Sequence, residues 1–280
     1  MHSDAGVQWT TLAVAIAALL AVYAPVLAGM VAEWAAIPSL SHGFAVPLIS
    51  LYLLWRRRDL IGAAALGSSR TGLALLTAAL AILVAGSVGG ETFLSRVSLP
   101  LALLGVTLFL VGPRVTRHVW PAIAYLVFMV PLPYLTLKAV MDPSRLFEAA
   151  TTARALRWLG VPVVQQGVML HLPRLTLEIA EDCSSVRTVA ALVALGVAYA
   201  QIGPRPTWVR VALTLSAAPL GLASNIVRLV LTGLGAHHLG PVALDSVFHQ
   251  FSGTTVFLAT VVLLVALDRL LVRLGRSRPG

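Results

Sequence analysis

The charged residues of this chain are gathered mostly into short clusters between long apolar runs, and that pattern restricts the fold to one built in a membrane. Apolar runs lie at about 9–31, 42–55, 71–88, 97–112, 118–137, 184–202, 208–231 and 252–272. A helix needs about 20 apolar residues to cross the roughly 30 Å hydrocarbon core. The runs therefore suggest an all-α integral membrane protein, a bundle of about eight transmembrane helices. Only 11% of residues are charged, against about 25% in a soluble domain, while 58% are apolar and the mean hydropathy is +0.90. Residues 1–280 read as a single polytopic membrane domain. The first run, from Gln8 to Met30, is too long for a cleaved signal core and no A-x-A site follows it, so it reads as a retained span.

A net charge of +9 and a pI near 11.0 would point to nucleic acid only if the basic residues shared one solvated face. They lie instead at the ends of apolar runs: Arg56, Arg57 and Arg58 with Arg70; Arg114 with Arg117; Arg205 with Arg210; and Arg269, Arg273, Arg276 and Arg278. If every run crosses, these clusters fall on one side, which the positive-inside rule makes cytoplasmic, together with both termini. Nucleic acid is thus not an expected partner.

The segment 138–182 then belongs to the outer face. Within it, Pro143 to Leu159 reads as an amphipathic helix lying on the leaflet surface. Its apolar stripe is Leu146, Ala149, Ala153, Leu156 and Leu159, with Arg145, Glu148, Thr152 and Arg154 off the stripe. The β-branched, partly alternating stretch from Val161 to Ile179, broken by Gly and Pro, reads as a small hairpin.

Polar groups at membrane depth are costly, so those that remain are candidates for function. Three fall at one membrane level: Cys183 opens the sixth run, Arg228 lies near the outer end of the seventh, and His249 sits just before the eighth. They are separated by 45 and 21 residues, yet the topology brings them together. Cys183 is the only cysteine, so an intrachain disulfide and a CxxC site are excluded. Glu178, Glu181 and Asp182 oppose its ionisation, and only a cation in contact, worth up to about 4 kcal/mol at an effective dielectric of 20, offsets them. Arg187, one turn on, and Arg228 are the available cations. Asn225, three residues before Arg228, shares its helical face. The imidazole of a histidine is suited to proton transfer near neutrality, which makes His249 the candidate base, with His237 and His238 as rivals in the same loop.

From His42 to Trp55 there are 14 residues, about 21 Å of helix. That is shorter than the bilayer core, so Ser41, His42 and Gly43 should enter the membrane region, where His42 binds substrate or supports His249. No HExxH or other ligand spacing suggests a metal, and no G-x-S-x-G elbow or Walker loop is present. No cofactor is called for.

At these residues the sequence resembles the exosortase/archaeosortase family, membrane-embedded cysteine transpeptidases that process proteins bearing C-terminal PEP-CTERM-type sorting signals. Ser41-His42-Gly43-Phe44 followed by Pro47 to Arg58 is similar to the family's N-terminal signature, and Pro131-Leu132-Pro133 with Leu170-His171-Leu172-Pro173 to its middle. The family's Glu-x-Cys-Ser-Gly block resembles Glu181-Asp182-Cys183-Ser184-Ser185, its Asn-x-x-Arg resembles Asn225 to Arg228, and its last histidine resembles His249. Ser185 stands where the family usually has glycine.

The resemblance implies Cys183 as nucleophile, Arg228 and His249 as its partners, and Glu181 and Ser184 as supporting residues. It also implies substrates that are exported proteins ending in a motif, an apolar span and a basic tail, with a glycan or lipid acceptor. The expected location is the plasma (inner) membrane, with the active site on the external or periplasmic face. Two competing readings are a polytopic transporter and a non-catalytic component of surface polysaccharide export.

Overall fold

A computed structural model describes residues 2–173, 175–179, 185–203, 205–240 and 246–276. The chain is a multi-pass membrane protein, mostly helical, with ten α-helices and one small sheet among these residues. It folds as two compact units, Met1–Pro133 and Tyr134–Gly280.

In the first unit, α1 (His2–Val22) and α2 (Ala24–Ala36) meet at Tyr23 with a bend of 65°. A 3-10 turn (Pro38–Phe44) leads to α3 (Ala45–Arg56) and the short α4 (Arg58–Ala63), then α5 (Arg70–Gly89) and α6 (Thr92–Tyr125). Inside α6 the backbone leaves helical geometry at Gly112 (φ 81, ψ 177), a conformation open to glycine because it has no Cβ. Pro113 follows, and the chain before α5 closes on the bend: the Gly67 N–H donates to Val111 O at 3.2 Å and the Ser69 N–H to Phe109 O at 3.4 Å.

The bend divides α6 into two arms with different neighbours. The first arm lies on α5 so closely that a Cβ on Gly105 would sit 2.6 Å from the backbone nitrogen of Leu76. The second lies on α3, where Ser50 Oγ donates to Ala122 O at 2.8 Å and Arg57 Nη1 to His118 O at 2.9 Å. Buried polar groups in an apolar medium need partners, and the unit supplies them. Tyr23 OH bonds Ser98 Oγ at 2.8 Å, Trp34 Nε1 donates to Met129 O at 3.1 Å, and Arg96, 7% exposed, grips Glu33 with two bonds of 2.5 and 2.8 Å.

The second unit runs α7 (Tyr134–Trp158), β1 (Val164–Gln166), β2 (Met169–His171), β3 (Thr176–Glu178), α8 (Ser185–Ile202), α9 (Thr207–Leu239) and α10 (Ser246–Arg276). The expected hairpin is a three-stranded antiparallel sheet in the order β1-β2-β3, with Leu170 opposite both Gln165 and Leu177. Its apolar face, with Leu170, Leu177 and the following Ile179, packs on Ala149, Ala153 and Leu156 of α7 and Leu229 of α9.

The amphipathic reading of α7 is half right. Ala149, Ala153 and Leu156 are fully buried, but Leu146 and Leu159 are 47% and 58% exposed, while Glu148 and Thr152, expected off the stripe, are fully buried. The helix is covered by the sheet, α8 and α9 on several sides, so its buried surface is wider than one stripe.

The span count also differs from the sequence pattern. Among the described residues four helices are long and apolar enough to cross: α5, α6 through Met129, α9, and Gly253–Leu274 of α10. The α1–α2 pair makes a fifth if taken as one bent span. The run 42–55 opens on the 3-10 turn and leaves α3 with 12 residues, about 18 Å. The runs 97–112 and 118–137 are joined through the Gly112 bend, and the apolar part of α8, Thr188–Ile202, falls short of a full crossing length. The run 208–231 is longer as a helix than as an apolar segment, so His237 and His238 lie in the last turn of α9 rather than in a loop.

Candidate active site

The second unit is organised around a carboxylate. Glu148 of α7 is fully buried and gathers donors from three helices. Its Oε1 accepts from Ser144 Oγ at 2.8 Å, from the Ser185 N–H at 3.3 Å and from the Ser185 hydroxyl. Its Oε2 accepts from Asn225 Nδ2 at 2.8 Å. Ser144 and Ser185 hydroxyls are 3.1 Å apart. Ser185 is the first residue of α8, where backbone N–H groups have no partner within the helix, so the carboxylate serves there as an acceptor. The Ser185 hydroxyl, absent from the similar glycine-containing motif, is turned to α7 and used. One turn past Glu148, Thr152 Oγ1 is buried with no hydrogen-bond partner among the described residues.

A second tie joins α7 to the chain entering this region. Arg145 Nε donates to Ile179 O at 2.7 Å, and the Ile179 N–H bonds Val168 O at 3.0 Å, continuing the sheet. Arg145 and Glu148, three residues apart on one helix, thus hold Ile179 and Ser185, the described residues on either side of 180–184.

On α9, Asn225 (3% exposed) and Arg228 share a face. Asn225 reaches α7 through Glu148, whereas Arg228 turns to α10. A Cβ built on Gly253 would lie 3.5 Å from both Cζ and Nε of Arg228, an ordinary packing distance, so the guanidinium lies directly against α10 at this position. His249 precedes Gly253 by four residues on α10, one turn away on the same face. Deeper along the same interface Thr260 Oγ1 donates to Ser224 Oγ at 2.5 Å. Beyond it, Arg205 binds Asp268 through Nε and Nη2 at 2.6 Å each, with Tyr199 OH on the same carboxylate at 2.9 Å.

Of the residues singled out in the sequence, the structure brings together Asn225 and Arg228 and sets Arg228 one turn from His249 along α10. Cys183, Glu181 and Ser184 lie outside the described residues, as do the side chains of Arg187 and His249. His42 is half-buried in the 3-10 turn of the first unit. Sequence reasoning missed Glu148 as a member of this site. The signal that could have found it is a row of Ser144, Glu148 and Thr152 at intervals of four, a polar line along one helix face beside the apolar one.

A sequence model described as Transmembrane exosortase (EpsH) matches residues 34–266, a stretch containing Glu148, Ser185, Asn225, Arg228, Gly253 and His249. No curated protein and no solved structure matches the chain.

Proposed function

The chain belongs to the transmembrane exosortase family, and from that premise we propose that it is a cysteine transpeptidase. It cleaves C-terminal sorting signals of membrane-tethered exported proteins at the external or periplasmic face of the membrane. The observation that most supports this reading is the convergence of α7, α8, α9 and α10 in one unit. Ser185, two residues after Cys183, and Asn225, three before Arg228, share the Glu148 carboxylate, and Arg228 packs on α10 one turn from His249. Two residues span at most about 7 Å, which keeps Cys183 within reach of this group.

In the proposed mechanism the Cys183 thiolate attacks the scissile carbonyl carbon, forming a C–S bond as the carbonyl oxygen gains the electron pair. Arg228 stabilises the thiolate or that oxygen, an effect larger in a site depleted of water than in bulk. Collapse breaks the C–N bond, and His249 gives a proton to the departing amine. The resulting thioester is resolved by an amine or hydroxyl of a surface glycan or lipid, whose proton His249 takes back. With water instead, the same sequence is proteolysis. Substrates are exported proteins ending in a PEP-CTERM-type motif, an apolar span and a basic tail.

The test is to trap the thioester. Purified protein mixed with a reporter ending in a Pro-rich motif, an apolar span and a basic tail, then quenched in acid, should carry a hydroxylamine-sensitive adduct on its one cysteine. Reporter cleaved with no adduct at any time point would remove the thioester from the mechanism. A reporter that is never cleaved, under conditions where native membranes process it, would favour a transporter or an export component.

Arg228→Lys should be a poor replacement. A planar guanidinium holds an anion through two parallel donors in fixed geometry, whereas an ammonium is a point charge on a flexible stem. Processing should fall at least about tenfold, the loss expected for roughly 1.4 kcal/mol of transition-state stabilisation. Full activity in Arg228→Lys, read by the rate of reporter cleavage, would reduce the residue to its charge.

A further inference from the structure

Resting on the cysteine-transpeptidase reading above, we propose that Glu148 is a positioning residue for the reaction. It fixes Ser185 and Asn225 and, with Arg145, fastens both flanks of the segment that carries Cys183.

A fully buried carboxylate is a costly group to take out of water, tolerated where hydrogen bonds satisfy its oxygens. Among the described residues, Glu148 accepts from neutral donors: two serine hydroxyls, one backbone N–H and one amide. Those donors are not scattered. Ser185 begins the helix that follows Cys183, and Asn225 stands one turn before Arg228. The same helix face holds Ile179 O through Arg145, on the other side of residues 180–184. One helical turn of α7 therefore sets the entry and exit of the cysteine segment and the rotation of the Arg228 helix. A displacement of about 1 Å in such a constellation is enough to cost about a hundredfold in rate.

The expected signature is a loss of turnover without a loss of binding or folding. It is tested on the full-length protein in detergent with Glu148→Gln, Glu148→Asp, Ser185→Ala and the Glu148→Gln/Ser185→Ala double variant. Three quantities are read: kcat and KM on the reporter, the alkylation rate of the single cysteine by iodoacetamide, and the thermal unfolding midpoint.

Glu148→Gln should lower kcat by about 10- to 100-fold with KM and the unfolding midpoint near wild type, and should change the alkylation rate. Glu148→Asp should restore part of kcat. The double variant should lose less than the sum of the two singles, because the two residues are in direct contact and act through one network. If Glu148→Gln does not fold, Ser185→Ala, which removes one hydroxyl, carries the same kcat, KM and alkylation test.

A folded Glu148→Gln or Ser185→Ala with wild-type kcat and alkylation rate would overturn the proposal, as would activity lost only in proportion to folded protein. Cys183→Ala assayed alongside separates the two levels. If it is inactive while the Glu148 and Ser185 variants match wild type, only the positioning role falls. If it is active, the transpeptidase reading falls and takes this proposal with it.

Discussion

Cys183→Ala and Cys183→Ser are expected to abolish reporter cleavage while insertion into the membrane and thermal unfolding stay at wild-type values. Alanine removes the nucleophile outright. Serine keeps a similar shape, but its hydroxyl is barely ionised near neutrality, whereas an unperturbed thiol with a pKa near 8.5 is already a few per cent thiolate at pH 7 and intrinsically more nucleophilic. Loss of a nucleophile costs serine proteases about 10⁶ in kcat, so a fall of at least about 10³-fold is expected for either variant. Because the chain contains a single cysteine, the same proteins also serve as blanks for every thiol label. Cleavage by Cys183→Ala at the wild-type rate would end the cysteine-transpeptidase reading.

Asp268→Ala should have the largest effect on stability. Asp268 and Arg205 form a two-pronged ion pair with both bonds at 2.6 Å and side chains only 6% and 11% exposed. Tyr199 OH completes the carboxylate, the Tyr199 ring lies 4.4 Å from the guanidinium carbon, and Arg205 Nη1 also caps Tyr199 O at 3.0 Å. The hydrogen bonds to Asp268 are the main reason the Arg205 guanidinium is held above its ordinary pKa. Removing the carboxylate strands a buried cation, a loss of about 3–5 kcal/mol. Replacing both residues together by leucine should cost much less, since a buried pair often exchanges for apolar packing at little net cost. Unfolding followed in mild detergent measures both. An Asp268→Ala protein as stable as wild type would mean that solvent or another group compensates Arg205, and the network would lose its structural role.

The membrane class, the order of the apolar segments and the polar face of α9 were legible because each follows from a local pattern. Asn225 and Arg228 share a face by helical spacing alone, and that spacing survives in the fold. The reading failed where the environment is not periodic. Glu148 and Thr152 were placed toward water on the premise that a helix at a leaflet surface has one dry side. Instead α7 is wrapped by the sheet, α8 and α9, and the carboxylate is kept inside by hydrogen bonds from residues 37 and 77 positions away. No local window contains such partners. Leu146 and Leu159 failed for the complementary reason: α7 has neighbours on the wrong sides for them, and an exposed leucine is an ordinary feature of a protein surface. The candidate spans among the described residues number four or five, fewer than the apolar runs, because hydropathy registers apolar length without registering the 3-10 turn that shortens α3 or the kink at Gly112 between the two arms of α6.

The bend at Gly112 has a consequence for the order of assembly. The arm before it meets α5, its immediate predecessor in the chain, through contacts such as Leu76 with Gly105, which close loops of roughly thirty residues at modest entropic cost. The arm after it finds α3, with Ser50 and Ala122 separated by 72 positions. During synthesis the first arm can zip onto α5, which has only just emerged, as its Ser98 and Arg96 find Tyr23 and Glu33 already in place, while the second arm docks on α3. Residue 112 is therefore where the growing chain leaves α5 and turns to α3. A side chain there would disturb a handover between two stages of insertion as well as a backbone angle.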